Sequence, residues 1–442
     1  MRLPRTFLSL QQMCLSKIAL VVYNDPDIKH FTNTYDIHSC IWASREVEMF
    51  LGKACDKMFH QVNRFETFYK GGITVRTSEY KHYLTGNGKI CLLPNKQWET
   101  LVGQKISTLP LPNIIRKEVL ALVRLTFIES DKWLEDHAQI MMYTTNLQNS
   151  FHWTQDNKID RQKTARAIVA KNNIDISDRF LLACHYCFED DVFSLWGKLN
   201  SQQQKFFQKS KFEIVRIWAD WIRDGEELDW EEIVRSSRNN PLGLRTYISK
   251  LKKQELLQPL LLGLRRGCFD HHELQFCLSK LDQDQENKIF KECPLQILEV
   301  FLHWPVQGEL LEVVELLRPY LSAEDFRDFF YLIISQKFMF DSVDFYYVSV
   351  IKKLWRKIPS LYREFIENDS LYNTLKLVLE YNGFHPFPHT LRVYSNEDSF
   401  IAFHLAGTMF VIFKDKIPLL NFIFPFFHFP NICRRVSVIC FS

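Results

Sequence analysis

The chain is poor in the residues that turn a backbone. Its 442 residues include only 14 Gly and 16 Pro, too few for a sandwich or barrel that must reverse direction roughly every ten residues. It lacks a dominant charge as well: 55 Lys and Arg stand against 52 Asp and Glu, for a net +3. Nucleic-acid binding needs a concentrated basic stripe, and here basic and acidic residues interleave as on solvated helix faces. No apolar run free of charge reaches the roughly 18 residues of a membrane span. One candidate, residues 400–413, stops at Lys414-Asp415-Lys416, and Pro418, Pro425 and Pro430 interrupt the apolar stretch beyond. A disulfide framework is not expected either: it belongs to small secreted chains, and the 11 cysteines here are odd in number and scattered from Cys14 to Cys440.

Hydrophobic residues make up 46% of the chain and charged residues 24%, with 37 Phe and 10 Trp. That balance supports a large core and argues against disorder. With few turns available, it predicts a mostly α, multi-helix fold. Arg2 and Arg5 before Phe7, Leu8 and Leu10 faintly suggest a signal peptide, but Gln11, Gln12 and Lys17 break the apolar stretch. Cytoplasm or nucleus is the expected compartment.

Residues 6–23 read as a helix, and so do residues 43–63. A small β-hairpin is expected near 73–93, with 73–84 and 89–93 flanking Thr85-Gly86-Asn87-Gly88, whose Asn-Gly pair suits a tight turn. From Ile114 onward helical spacing dominates, as in Leu120, Val123, Leu125 and Ile128, and again in Phe180, Leu181, Cys184 and Cys187. Ser201 and Ser322 read as helix N-caps. Pro241, Pro294, Pro305, Pro319 and Pro359 mark boundaries between helices.

An internal echo links Leu195-Trp196 before Ser201 and Phe206-Phe207 with Leu354-Trp355 before Ser360 and Phe365-Ile366. Helix pairs that cannot bury their own faces stack into a solenoid, so a degenerate α-solenoid is one architecture this echo admits; chance repetition in a Leu/Phe-rich helical chain is the other. Three regions are expected: 1–125, an N-terminal region with an inserted mixed segment; 126–398, a helical array; and 399–442, an apolar Phe/Pro-rich tail. Residues 400–413 should pack on the body, with the last residues poorly ordered.

Candidate chemistry is thin. Cys184-His185-Tyr186-Cys187, with Cys268, His271, His272 and Cys277 further on, has zinc-like residue types. Within an apolar helical run, however, the CxxC pair places two small hydrophobes on a core face, so no metal is expected. Asp282, Asp284 and Glu286 imitate a calcium loop, but Asn287 replaces the needed Gly and Cys293 the needed Glu; a solvated turn is expected. Gly86-Asn87-Gly88-Lys89 lacks the length of a phosphate cradle. Glu189-Asp190-Asp191 suits a helix N-terminus. No GxSxG, HExxH or kinase signature occurs, and the chain is expected to be non-catalytic, without cofactors.

One segment stands out. Leu10, Cys14 and Ile18 fall at i, i+4 and i+8, a single stripe on the first helix, with Met13 beside it. A small residue in mid-stripe lets a partner helix approach, and Leu10 can fill a pocket, as in helix-in-groove recognition. This pattern resembles the BC box of SOCS-box proteins: a small residue, Leu, three residues, Cys, three residues, an aliphatic. Leu109-Pro110-Leu111-Pro112, followed by Ile114, Ile115, Val119 and Leu120, is similar to the family's cullin box. The resemblance covers about residues 6–23 and 108–123. It implies that Leu10, Met13, Cys14 and Ile18 bind elongin C of the elongin B/C complex. It further implies that Leu109, Pro110, Leu111, Pro112 and Ile115 touch a cullin, and that the helical array holds an unknown protein target. The chain departs from the family in spacing: the boxes are neighbours there, whereas about 90 residues separate them here. A weaker copy begins at Ser370-Leu371 with Leu375, but Leu replaces the Cys. Two other readings compete: a helical-repeat scaffold with no ubiquitin link, and a membrane-associated protein anchored through residues 400–430.

Overall fold

The computed structural model describes residues 3–4, 7–42, 50–51, 58–70, 73–83, 93–138, 140–141, 147–225, 228–236, 241–265, 267, 269–338, 346–383, 394–396, 400–405, 408–413 and 435–441. In chain order these form α1 (Leu10–Tyr23), α2 (Pro26–Tyr35), α3 (Ile37–Cys40), β1 (Met58–Lys70), β2 (Ile73–Tyr83), α4 (Pro94–Ser107) and α5 (Asn113–Ala138). Next come α6 (Arg161–Val169), α7 (Ile176–His185), α8 (Glu189–Trp196), α9 (Ser201–Gln208), α10 (Glu213–Asp224), α11 (Trp230–Ser236), α12 (Leu244–Tyr247), α13 (Leu257–Arg265), α14 (His271–Leu278) and α15 (Gln283–Glu292). The last stretch holds α16 (Pro294–Leu302), α17 (Leu310–Leu317), α18 (Ala323–Ile333), α19 (Tyr347–Lys357), α20 (Ser360–Glu367) and α21 (Leu371–Glu380), then β3 (Tyr394–Asn396), β4 (Phe400–Leu405), β5 (Thr408–Phe413) and β6 (Arg435–Phe441). The fold is mostly α, as composition and periodicity require.

The β structure is larger than a hairpin and paired differently. One six-stranded sheet has the order β1-β2-β6-β5-β4-β3. β2 begins at the expected Ile73 but pairs antiparallel with β1, Met58 opposite Tyr83 and Lys70 opposite Ile73. Its expected partner and turn, residues 84–92, lie outside the described residues. Residues 58–63, expected to be helical, are strand: aromatic and β-branched side chains along β1 favour a pleated backbone once a partner is present. β6 runs parallel to both β2 and β5, so the last residues, expected to be poorly ordered, instead join two ends of the chain in one sheet. The uncharged run 400–413 forms the antiparallel pair β4–β5, and every residue of β5 is buried. No helix among the described residues is long and apolar enough to cross a membrane.

Two compact units result, residues 1–127 with 294–442, and residues 128–293. The boundary at 398 expected for a separate tail is absent, because the sheet ties residues 394–441 to residues 58–83. In the first unit α1 packs on α2 and α4. Tyr23 meets Phe127 edge-on at 4.7 Å, and Arg124 pairs with Glu99 beside Trp98. His38 of α3 lies 5.5 Å from the Phe410 ring of β5. In the second unit Phe180 packs on Phe207 at 4.8 Å, and Trp218 donates its indole N–H to the Cys184 carbonyl at 3.1 Å.

The helix caps match expectation in part. Ser322 caps α18 in a reciprocal box with Asp325. The cap of α9 is Asn200, paired with Gln203, one residue before the expected Ser201. Asp282 opens no turn; it caps α15 through Gln285. Both copies of the internal echo fold as a helix, a short link and a second helix, with Leu195 and Leu354 buried and Phe206 and Phe365 exposed.

Candidate docking surface

α1 starts at Leu10 because Ser9 caps it: the Ser9 side chain accepts from the Gln12 N–H, and the Gln12 side chain accepts from the Ser9 N–H at 2.8 Å. Such a cap satisfies orphan N–H groups and is worth about 1 kcal/mol. Gln12 also donates to the Pro305 carbonyl at 3.0 Å, fixing the helix to the chain around residue 305. Leu15, Ser16, Ala19, Val22 and Tyr23 face the core and are buried. Burying Leu15 and Val22 contributes about 1.5–3 kcal/mol each, enough to hold the helix in place.

The opposite side is exposed and carries apolar side chains, with the cationic Lys17 among them. Leu10 is 74% exposed and Val21 70% exposed, with Phe7 just before the helix at 85%. Cys14 lies between them, exposed and free. At 100° per residue Leu10, Cys14 and Val21 fall within about 40° of one another. Met13 and Ile18 flank this stripe and are half-buried. The expected stripe is therefore displaced: its exposed continuation is Val21, not Ile18. Val21 stands seven residues after Cys14, a spacing legible in the sequence. Large apolar side chains exposed together mark interaction surfaces more often than singly scattered ones do.

The second segment follows α4 directly. Leu109 donates its N–H to the Ile106 carbonyl at 3.0 Å, and Leu111 donates to Leu109 at 2.8 Å, so the backbone is pinned in a tight turn. The Arg116 guanidinium reaches the Leu109 carbonyl at 3.5 Å. Pro110 and Pro112 are exposed, Leu109, Leu111 and Ile115 are half-buried, and Ile114 is 61% exposed.

The two segments belong to the same unit, and an ion pair draws their ends together. Lys105, near the end of α4, lies 2.6 Å from Asp27 and 3.0 Å from Asp25, the N-cap of α2. Burial raises the Asp25 pKa, but Lys105 and the Ile28 and Asp27 amides outweigh it, so the carboxyl sits below its ordinary value. Asp25 follows the end of α1 by two residues, and Leu109 follows Lys105 by four. The end of α1 and the start of the second segment are thus near one another although they are far apart in sequence.

The remaining sequence candidates divide. Leu371 and Leu375 of the weaker copy are buried in α21, which removes that helix as a docking stripe; its continuation at 385–391 lies outside the described residues. Cys184 and Cys187 are buried in the core, where burial pushes both thiols well above their ordinary value. Cys268 lies outside the described residues. Glu189, Asp190 and Asp191 occupy the first turn of α8, as expected. Compared with known proteins, the chain matches no family model, no curated protein and no solved structure.

Proposed function

We propose that the chain is a non-catalytic interaction adaptor, the substrate-recognition subunit of an elongin B/C cullin-RING ubiquitin ligase. In this reading the α1 face of Leu10, Met13, Cys14, Ile18 and Val21 binds elongin C. Leu109, Pro110, Leu111, Pro112 and Ile115 contact the cullin, and helices between about 160 and 395 hold the target protein. The chemistry resides in the ligase partners.

The observation that carries the reading is the exposure of Leu10, Cys14 and Val21 on a helix whose other face is buried and anchored. An ordinary packed N-terminal helix turns its Leu-Cys stripe inward, and this one turns it outward. The test is co-purification with elongin B/C. Substituting Leu10→Ser and Cys14→Lys together should abolish the association while leaving the fold intact, because both side chains are solvent-exposed. Retention of elongin B/C by the double variant would sink the proposal.

A further inference from the structure

We propose that Asp156, His271 and His272 form a site for one divalent transition-metal ion of the zinc class, independent of the docking surface. Each offers one donor atom, and the three atoms lie within 4.8 Å of one another. His272 Nε2 is 3.7 Å from Asp156 Oδ2, and His271 Nδ1 is 3.8 Å from the same oxygen. Those separations are too long for hydrogen bonds. They are close to the spacing of neighbouring ligands around a tetrahedral zinc, about 3.4 Å for bonds of about 2.0–2.2 Å.

Asp156 points to a ligand on its own account. It is 1% exposed, and its Oδ2 accepts no hydrogen bond. A buried carboxylate oxygen without a partner is costly, and a cation on it removes the cost. The other oxygen, Oδ1, accepts from the Thr154 hydroxyl. That contact orients the carboxylate, as hydrogen-bond partners commonly orient metal ligands. The carboxylate is presented by a tight turn in which Thr154 N–H donates to the Lys158 carbonyl at 2.8 Å and Asn157 adopts a φ of 62°.

The histidines open α14, and their rings lie 3.9 Å apart. Two imidazolium rings at that distance would repel, whereas two neutral rings sharing a cation would not. The N-terminus of a helix carries about half a positive charge, which disfavours a metal. Two carboxyl groups stand against it, those of Asp156 and of Asp270, the N-cap of α14. Lys158 is the nearby competitor for Asp156, but its ion pair is with Glu129 at 3.5 Å. His271 is buried, and His272 is 46% exposed, which gives the ion a route in and leaves its fourth position toward solvent, the arrangement of an open zinc site rather than a closed structural one.

The full chain, stripped with a chelator, should be titrated with Co²⁺ followed by optical absorption, and with Zn²⁺ by calorimetry. The expected result is one equivalent bound, with visible Co²⁺ bands and no intense near-ultraviolet thiolate charge transfer. Zn²⁺ should also raise the unfolding temperature. His272→Ala, an exposed position that leaves packing intact, and Asp156→Asn should each weaken binding by at least the 10–100-fold that loss of a mere orienting group costs. A chain that binds neither ion, a His272→Ala variant that binds as tightly as the original, or a thiolate spectrum placing the ion on cysteines would each overturn the site.

Discussion

A methyl group placed on Gly243 would meet the His185 carbonyl oxygen at 2.8 Å and Cys187 Sγ at 2.9 Å. The φ of Gly243 is −83°, open to any residue, so space alone demands the glycine. Gly243→Ala should lower stability by about 1–3 kcal/mol, the usual cost of overpacking. Gly103, inside α4, has nothing within 4 Å of the same added atom, and Gly103→Ala should gain about 0.5–1 kcal/mol. Thermal unfolding of the pair separates the two; shifts of the same sign would contradict the packing. A titratable group makes the next prediction. His137 is buried against Trp133; its Nδ1–H donates to the Trp133 carbonyl at 2.5 Å, so Nε2 accepts from the Tyr186 hydroxyl at 2.9 Å. Burial, with a smaller push from Arg161, takes its pKa down to about 3, and burial does the same for His185. The folded chain therefore binds fewer protons than the unfolded chain below pH 6.5. Stability is fully present above that pH and falls toward pH 3, by about 1.4 kcal/mol per pH unit for each histidine. Urea midpoints should drop between pH 7 and pH 5.5, with a shallower drop in His137→Gln; equal midpoints would refute the neutral pair. None of these environments is legible in the sequence. The histidine doublet 271–272 is visible there, but beside cysteines, because nothing in a linear chain announces that the turn carrying Asp156 folds against it.

Helices are easier to read than strands, for a physical reason. A helix satisfies its hydrogen bonds locally, so spacing, caps and prolines declare it. Ser322 and the 189–191 acids are visible in that way, whereas Ser9 lies inside the helix expected over 6–23 and instead caps one that starts at Leu10. A strand is defined by a partner that can lie anywhere, and β6 finds β2 across most of the chain. The Asn-Gly at 87–88 is a stronger hairpin signal than Gly71-Gly72, the two residues between Lys70 and Ile73, yet the antiparallel partner of β2 among the described residues is β1. The consequence of the actual order is that β6 is interior, with ladders to β2 on one side and β5 on the other. Val438→Pro removes an N–H from that strand and leaves a carbonyl unpaired, at a cost of about 1–3 kcal/mol or more. Proline at Ser395, in the edge strand β3, should cost less because among the described residues only one side of β3 is paired. Hydrogen exchange should show the first change loosening both β2 and β5 and the second leaving them protected. Equal effects would mean β6 does not hold the sheet together.

At the scale of the molecule, the sheet makes one unit out of both ends of the chain, with residues 128–293 grouped as another. The separation of the two SOCS-box-like segments, the chief departure from the family pattern, is a separation in sequence. Lys105 on Asp25 and Asp27 brings the end of α1 beside the start of Leu109-Pro110-Leu111-Pro112. If both segments serve one ligase, their losses should be separable in a fixed order. Leu10→Ser with Cys14→Lys should remove elongin B/C, and cullin recruitment with it. Pro110→Ala with Pro112→Ala changes only exposed residues of the second segment, so elongin B/C should stay bound while cullin affinity drops. Truncating a well-packed anchor commonly costs about 2 kcal/mol or more, about 30-fold in Kd. Quantitative pull-downs with purified elongin B/C and a cullin N-terminal domain measure both arms. Undiminished cullin binding by the proline variant would leave α1 as a lone helix-in-groove element, and the adaptor reading would lose its second anchor.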